Sequence, residues 1–224
     1  MAAILVAGLH GQPLLDPGLV CGPWETTTAS GVHGVWLDIN TQHRAKHTTT
    51  QGISLSFYHR VNGQETGASP GEQKGSFSTS LRLRAQGVDL SFDAGSQRWT
   101  GSWVLDGETR QVDLTRPTCR SHPLCGTWQG RDLAGPVLLH IAQSSDGFVT
   151  AWMNKDAKSS DQRHGDRLRV VSPEPANFVV ETISAGCCTN RFSGRLSDDG
   201  LSLIGKWSSL KINVDAQQVF RRIP

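Results

Sequence analysis

From Ile53 to Val61 every odd position is apolar except His59, and the residues between them are polar or amphipathic. The stretch Phe77 to Ala85 repeats the habit, with Phe77, Leu81, Leu83 and Ala85 on one side. A period of two sends successive side chains to opposite faces of a strand, so both stretches predict half-buried β-strands. Val88, Leu90 and Phe92 continue the pattern, then Trp99, Gly101 and Trp103, then Val112, Leu114 and Arg116. Further strands are predicted at Val137–Ile141, Phe148–Met153, Leu168–Val171, Phe178–Ile183, Phe192–Leu196, Leu201–Trp207 and Gln217–Arg222. Asn62-Gly63, Asp106-Gly107, Asp146-Gly147 and Asp199-Gly200 are hairpin signals between them. No window carries a helical stripe. Short strands joined by tight turns make a meander, and a meander hides its edges by closing into an up-and-down barrel. The expected fold is all-β.

Two landmarks recur at one spacing. Cys21-Gly22-Pro23-Trp24 returns as Cys125-Gly126-Thr127-Trp128, and Gly101-Ser102-Trp103 returns as Gly205-Lys206-Trp207. Both tryptophan pairs are 104 apart (128 − 24 and 207 − 103). That period is too long for a solenoid and long enough for a domain. Two tandem up-and-down antiparallel barrels are therefore expected, over residues 1–117 with an N-terminal arm and over residues 125–224. Residues 118–124 form the linker, set off by Pro117 and Pro123. The Thr- and His-rich loop Asn40–Gln51 and the Lys-, Ser- and Asp-rich loop Asn154–Gly165 are expected at the barrel mouths.

Lys and Arg number 22 against 20 Asp and Glu, which speaks against a nucleic-acid partner. Arg82, Arg84 and Arg98 fit a solvated strand face. No stretch approaches the ~18 apolar residues of a bilayer span, so no membrane partner is expected. The apolar start, Met1 to Leu9, lacks the charged opening of a secretion signal and reads as a short strand or an arm lying on the barrel. The five cysteines form no regular framework, which points to reduced thiols and a cytoplasmic setting, with export through a trimmed or atypical signal as the alternative. Cys187-Cys188 reads as a turn; Cys119 and Cys125 would be the one disulfide if the protein is exported.

The Gly-x-Trp that opens each half, with an arginine near the end of each last strand, resembles the signature of the calycins, the superfamily of lipocalins, fatty-acid-binding proteins and avidins. The resemblance implies lipocalin-like barrels in which Arg116 packs across Trp24, and Arg221 or Arg222 across Trp128, as a cation–π contact favours. Gly126 to Gly130, Phe192 to Gly200 and Ile204 to Trp207 carry the likeness in the second half. Gln129, Gly130 and Arg131 do not match the polar residues that avidins place after this tryptophan, which speaks against biotin.

Inward polar residues are the ones to examine in a barrel, because burial without a partner is costly. His59 falls on the apolar face with Leu55, Phe57 and Val61, either as an acid or base or as a rim histidine reaching water. Tyr58 takes the opposite face. Glu181 would be a carboxyl of raised pKa if its strand turned it inward; alternation leaves both faces open. His59, Glu181 and Arg131 are the candidate catalytic residues. Phe57, Trp99, Trp152 and Met153 are candidate ligand-binding residues, set against the commoner reading of such side chains as core. His43 and His47 have metal-ligand spacing without a third ligand, so no metal site and no cofactor are expected. His140 corresponds to Trp36 at the 104 offset, and both are expected to point outward as packing residues. No phosphate loop, nucleophile elbow, zinc signature or paired-carboxylate motif is present. The expected function is binding of a small apolar or amphipathic molecule in a barrel cavity. The alternatives are a cofactor-free cyclase or isomerase working by substrate preorganisation, which leaves no linear motif, and an interaction module with filled barrels.

Overall fold

Among the described residues, the stretches of apolar alternation form strands. The structure, a computed structural model, describes residues 2–6, 20–44, 48–66, 76–78, 82–85, 87–119, 121–133, 135–155, 161–182, 190–209 and 215–224. The chain divides into two compact units, Met1–Pro117 and Thr118–Pro224.

The second unit is a closed barrel. Its strands are β11 (Gly126–Arg131), β12 (Pro136–Gln143), β13 (Val149–Lys155), β14 (Asp161–Glu174), β15 (Asn177–Thr182), β16 (Asn190–Leu196), β17 (Ser202–Ser209) and β18 (Asp215–Ile223). Each pairs antiparallel with the next, and β18 pairs back onto β11 through Trp128↔Arg222. All eight strands thus have two neighbours, and the barrel has no open edge. Leu139, Ile141, Ala151, Met153, Phe178, Val180, Phe192, Leu203, Trp207 and Phe220 belong to its buried apolar core.

The first unit has strands β1 (Ala2–Val6), β2 (Gly22–Thr28), β3 (Gly31–Arg44), β4 (Thr48–Val61) and β5 (Gln64–Thr66), then β6 (Ser76–Ser78), β7 (Arg82–Ala85), β8 (Val88–Asp93), β9 (Arg98–Leu105) and β10 (Glu108–Leu114). Strands β2, β3 and β4 form a meander whose far edge is taken by β1 against Gln51–Leu55 and by β5 against 59–61. The expected N-terminal arm is thus an added strand. Strands β6 to β10 form a second meander. The two sheets meet where Glu25 and Thr115 exchange both backbone hydrogen bonds, at 2.8 and 2.9 Å. They enclose one core, with Trp24, Val35, Leu37 and Phe57 from one sheet and Leu90, Phe92, Trp99 and Leu114 from the other.

Strand registers recur between the units. Trp24↔Val35 and Trp128↔Leu139 are both 104 apart, as are Leu90↔Gly101 and Gly194↔Gly205. The last strand is displaced by two more residues: Glu25↔Thr115 matches Gln129↔Arg221, and 221 − 115 is 106. At Gly101 and Gly205 a Cβ would stand 2.1 and 2.3 Å from the carbonyl oxygens of Asp89 and Ser193, so neither position has room for a side chain.

The expected loop Asn40–Gln51 is instead mostly strand, since β3 runs to Arg44 and β4 begins at Thr48. Polar Thr-rich strands lack the apolar alternation that marks the others, although threonine favours strands. Strand β3 ends and β4 begins at the end where Trp24 sits, not at the opposite mouth. In a meander the connections alternate between ends, and the β2–β3 turn already occupies the mouth. The second expected loop, Asn154–Gly165, likewise falls in part on strand, since β13 runs to Lys155 and β14 begins at Asp161.

Candidate functional site

Each unit has a bolted end. The Trp24 indole N–H donates to the Val20 carbonyl at 2.8 Å, and that of Trp128 donates to Leu124 at 2.9 Å. The Arg116 guanidinium lies 4.3 Å over Trp24 and that of Arg222 lies 4.5 Å over Trp128, as cation–π contact favours. Arg116 also donates to the Cys21 carbonyl at 2.6 Å, and Arg222 to the Pro123 carbonyl. Burial brings the Arg116 pKa down to about 10, well above neutrality, so the cation persists.

In the second unit one polar atom stands out from the apolar lining. Trp207 is 1% exposed, and its indole N–H is buried without a hydrogen-bond partner. Its ring packs 5.5 Å from Phe192, which itself lies against Phe220 at 5.2 Å. Phe192 reaches across the bare backbone of Gly194 and Gly205. Trp207 sits one turn of alternation beyond Leu203 and Gly205, away from the Trp128 end. An unpaired buried donor costs about 1–3 kcal/mol unless something accepts from it.

In the first unit the end opposite Trp24 gathers Ser30, His33, His59, Trp103 and Asp106. His33 and His59 are direct cross-strand partners, and their rings stack 4.2 Å apart and 6° from parallel. His33 is 6% exposed and meets the Trp103 edge at 6.2 Å. Ser30 joins the group: its hydroxyl donates to Asp106 Oδ2 at 2.7 Å and contacts His33 Nε2 at 3.0 Å, while its carbonyl accepts from His59 Nε2 at 3.0 Å. A carbonyl only accepts, so His59 carries its proton on Nε2. The Ser30 hydroxyl proton is committed to Asp106, so His33 Nε2 also donates. The Ser30 hydroxyl holds the Asp106 carboxyl below the usual carboxylate range. Burial pushes the His33 pKa down, as do His59 and Arg110, against a smaller raising effect of Asp106. Asp106 and Gly107 make the left-handed turn that presents the carboxylate, with φ of 54° and 81°.

This arrangement does not chelate a metal. Imidazole lone pairs lie in the ring plane, and two stacked parallel rings share no point that both can ligate. Among the described residues no group of three or more His, Cys, Asp or Glu side chains is arranged for an ion.

The sequence-derived candidates separate. His59 is half-buried at the first unit's mouth, and Phe57 and Met153 face their interiors at matching places, opposite Val35 and Leu139. Trp99 is wedged between Trp24 and Phe92 in the core. Glu181 faces outward, because Phe178 and Val180 take the interior, and it pairs with Arg169 and, at 3.6 Å, with Arg191. It is no inward acid. Trp152 is likewise outside the barrel, stacked on His140 at 5.1 Å, since Ala151 and Met153 point in. His140 is further held by Thr127 and Asn154, and Trp36 packs beside Tyr58. Arg131 is exposed at the end of β11. Cys119 and Cys125 are free thiols within hydrogen-bonding reach, and burial first, then Cys119, pushes Cys125 up to about 12. His47, Cys187 and Cys188 lie outside the described residues. His33, Ser30 and Asp106 were missed: only the β2–β3 and β9–β10 turns bring them to His59.

No family model matches the chain, and no curated protein matches it. Among solved structures it is similar to a protein of unknown function from the DUF3598 family of Nostoc punctiforme PCC 73102, at 12% identity over 92% of this chain and 97% of that one, with a TM-score of 0.20. That likeness carries no argument about fold or function. No helix among the described residues is long and apolar enough to cross a membrane.

Proposed function

We propose that the chain is a small-molecule-binding protein of calycin type, an internal duplication of one barrel, with its ligand in the second unit. The unpartnered Trp207 indole N–H inside an apolar barrel is the observation that carries this reading. The buried core packed around Trp207 is apolar, so an ionised ligand end placed in it would need a partner of its own. The ligand class is therefore an apolar or amphipathic molecule whose buried end offers one neutral acceptor, a carbonyl or hydroxyl oxygen. It would enter from the end opposite Trp128, where β13 ends and β14 begins.

The test is a fluorescence titration with Prodan, a neutral naphthyl ketone whose emission reports both apolar surroundings and hydrogen bonding. Saturable binding at one site per chain is expected. Trp207→Phe should weaken it about fivefold, the worth of one neutral hydrogen bond of ~1 kcal/mol. Equal affinity in the variant, or no saturable binding, would contradict the reading.

A further inference from the structure

The first unit holds a polar device that ligand binding in the second does not use. Among the described residues its two sheets share one backbone bridge, Glu25↔Thr115. A second tie crosses between them at the mouth: the Ser30 hydroxyl, in the β2–β3 turn, on the Asp106 carboxylate, in the β9–β10 turn. Ser30 is itself held by both stacked histidines, one on its hydroxyl and one on its carbonyl. We propose that the His33–His59 stack is an acid-sensitive latch that holds the mouth of the first unit shut when at most one ring is charged and releases it when both are.

The groups facing the pair decide how it responds. Among the described residues Asp106 is the one carboxylate acting on the pair, Arg110 on β10 is a like charge to any imidazolium, and Trp103 on β9 and Ser30 are neutral. One proton, taken at an Nδ1 that bonds to no described residue, leaves both Ser30 contacts in place and gains Asp106 as counter-ion. A second proton sets two cations face to face 4.2 Å apart with that same lone carboxylate and with Arg110 opposing. The stack must then part, and Ser30 loses both of its imidazole donors. The linkage has a definite sign. His33 has a lowered pKa in the fold, so its contribution to stability is complete above the unfolded-state value of about 6.5 and is lost as pH falls through the folded value.

The experiment is a histidine proton titration by NMR on the full chain, with amide hydrogen exchange followed alongside. The expected result is two coupled steps separated by at least about one pH unit. Protection of the Ser30 amide, which donates to Thr28 Oγ1, should fall at least tenfold through the lower step, while amides of β16 and β17 keep theirs. His59→Gln should raise the His33 midpoint and merge the steps into one. Asp106→Asn should lower the upper step. Both rings titrating independently in the unaltered protein, or protection at Ser30 unchanged through the lower step, would overturn the proposal without recourse to any variant.

Discussion

Glu25, Tyr58 and Arg60 show how much one carboxylate can support. Glu25 is 7% exposed and Arg60 1%, and Glu25 Oε1 accepts from Arg60 at 2.5 Å and from the Tyr58 hydroxyl at 2.9 Å. The Arg60 guanidinium also lies 5.1 Å from the Tyr58 ring centre, and that ring fills the space over Gly34. Removing one member of a buried ion pair leaves the other charge less compensated. Glu25→Gln should therefore destabilise the protein by about 3–5 kcal/mol, and replacing Glu25 and Arg60 together by apolar residues of similar size should recover most of the loss. Urea denaturation of the single and double variants checks this; a loss below ~1 kcal/mol in Glu25→Gln would show that water reaches the site. At this scale the sequence is partly legible. Alternation alone turns His59 inward and Tyr58 outward. It says nothing of His33 stacking on His59, 26 residues further along the chain, nor of which indole lacks a partner, because satisfaction of a donor depends on what folding brings to it.

The strands explain where legibility ends. Strands with apolar alternation, such as β8, β9 and β15, lie where the sequence predicts them. Those built from Thr, His, Asp and Arg, at the far ends of β3 and β4 and the start of β14, read as loops because no face of them is marked. Glu181 is a subtler case. Phe178, Val179 and Val180 are all buried, so the local apolar run conceals which face is the interior. Only the partner strands, with Arg169 and Arg191 beside Glu181, settle it. Close strand contact was written openly in the two glycines at the 104 offset. Gly101→Ala and Gly205→Ala should each destabilise by about 2 kcal/mol or more, since a Cβ would overlap a backbone carbonyl rather than a side chain that can turn away. Thermal unfolding of each variant measures this, and an unchanged melting temperature would mean that the strands separate at little cost.

Across the whole molecule, the two units share a frame and differ at their mouths. Where the first places His33 opposite His59, the second places Val137 opposite Lys155, whose ammonium pairs with Asp132 at 2.8 Å. Acid sensitivity of the kind proposed for the stacked pair therefore belongs to the first unit alone. The second keeps a buried apolar core around the unpaired Trp207 indole N–H. The tryptophans make this account directly measurable, because each indole N–H gives its own resonance. The decisive measurement is a proton–nitrogen NMR titration of the full chain with Prodan, following the indole signals of its seven tryptophans. The account predicts that the Trp207 signal moves downfield in step with binding, while those of Trp24 and Trp128, already held by carbonyls, stay within their line widths. Saturable binding with the Trp207 signal unmoved would contradict it.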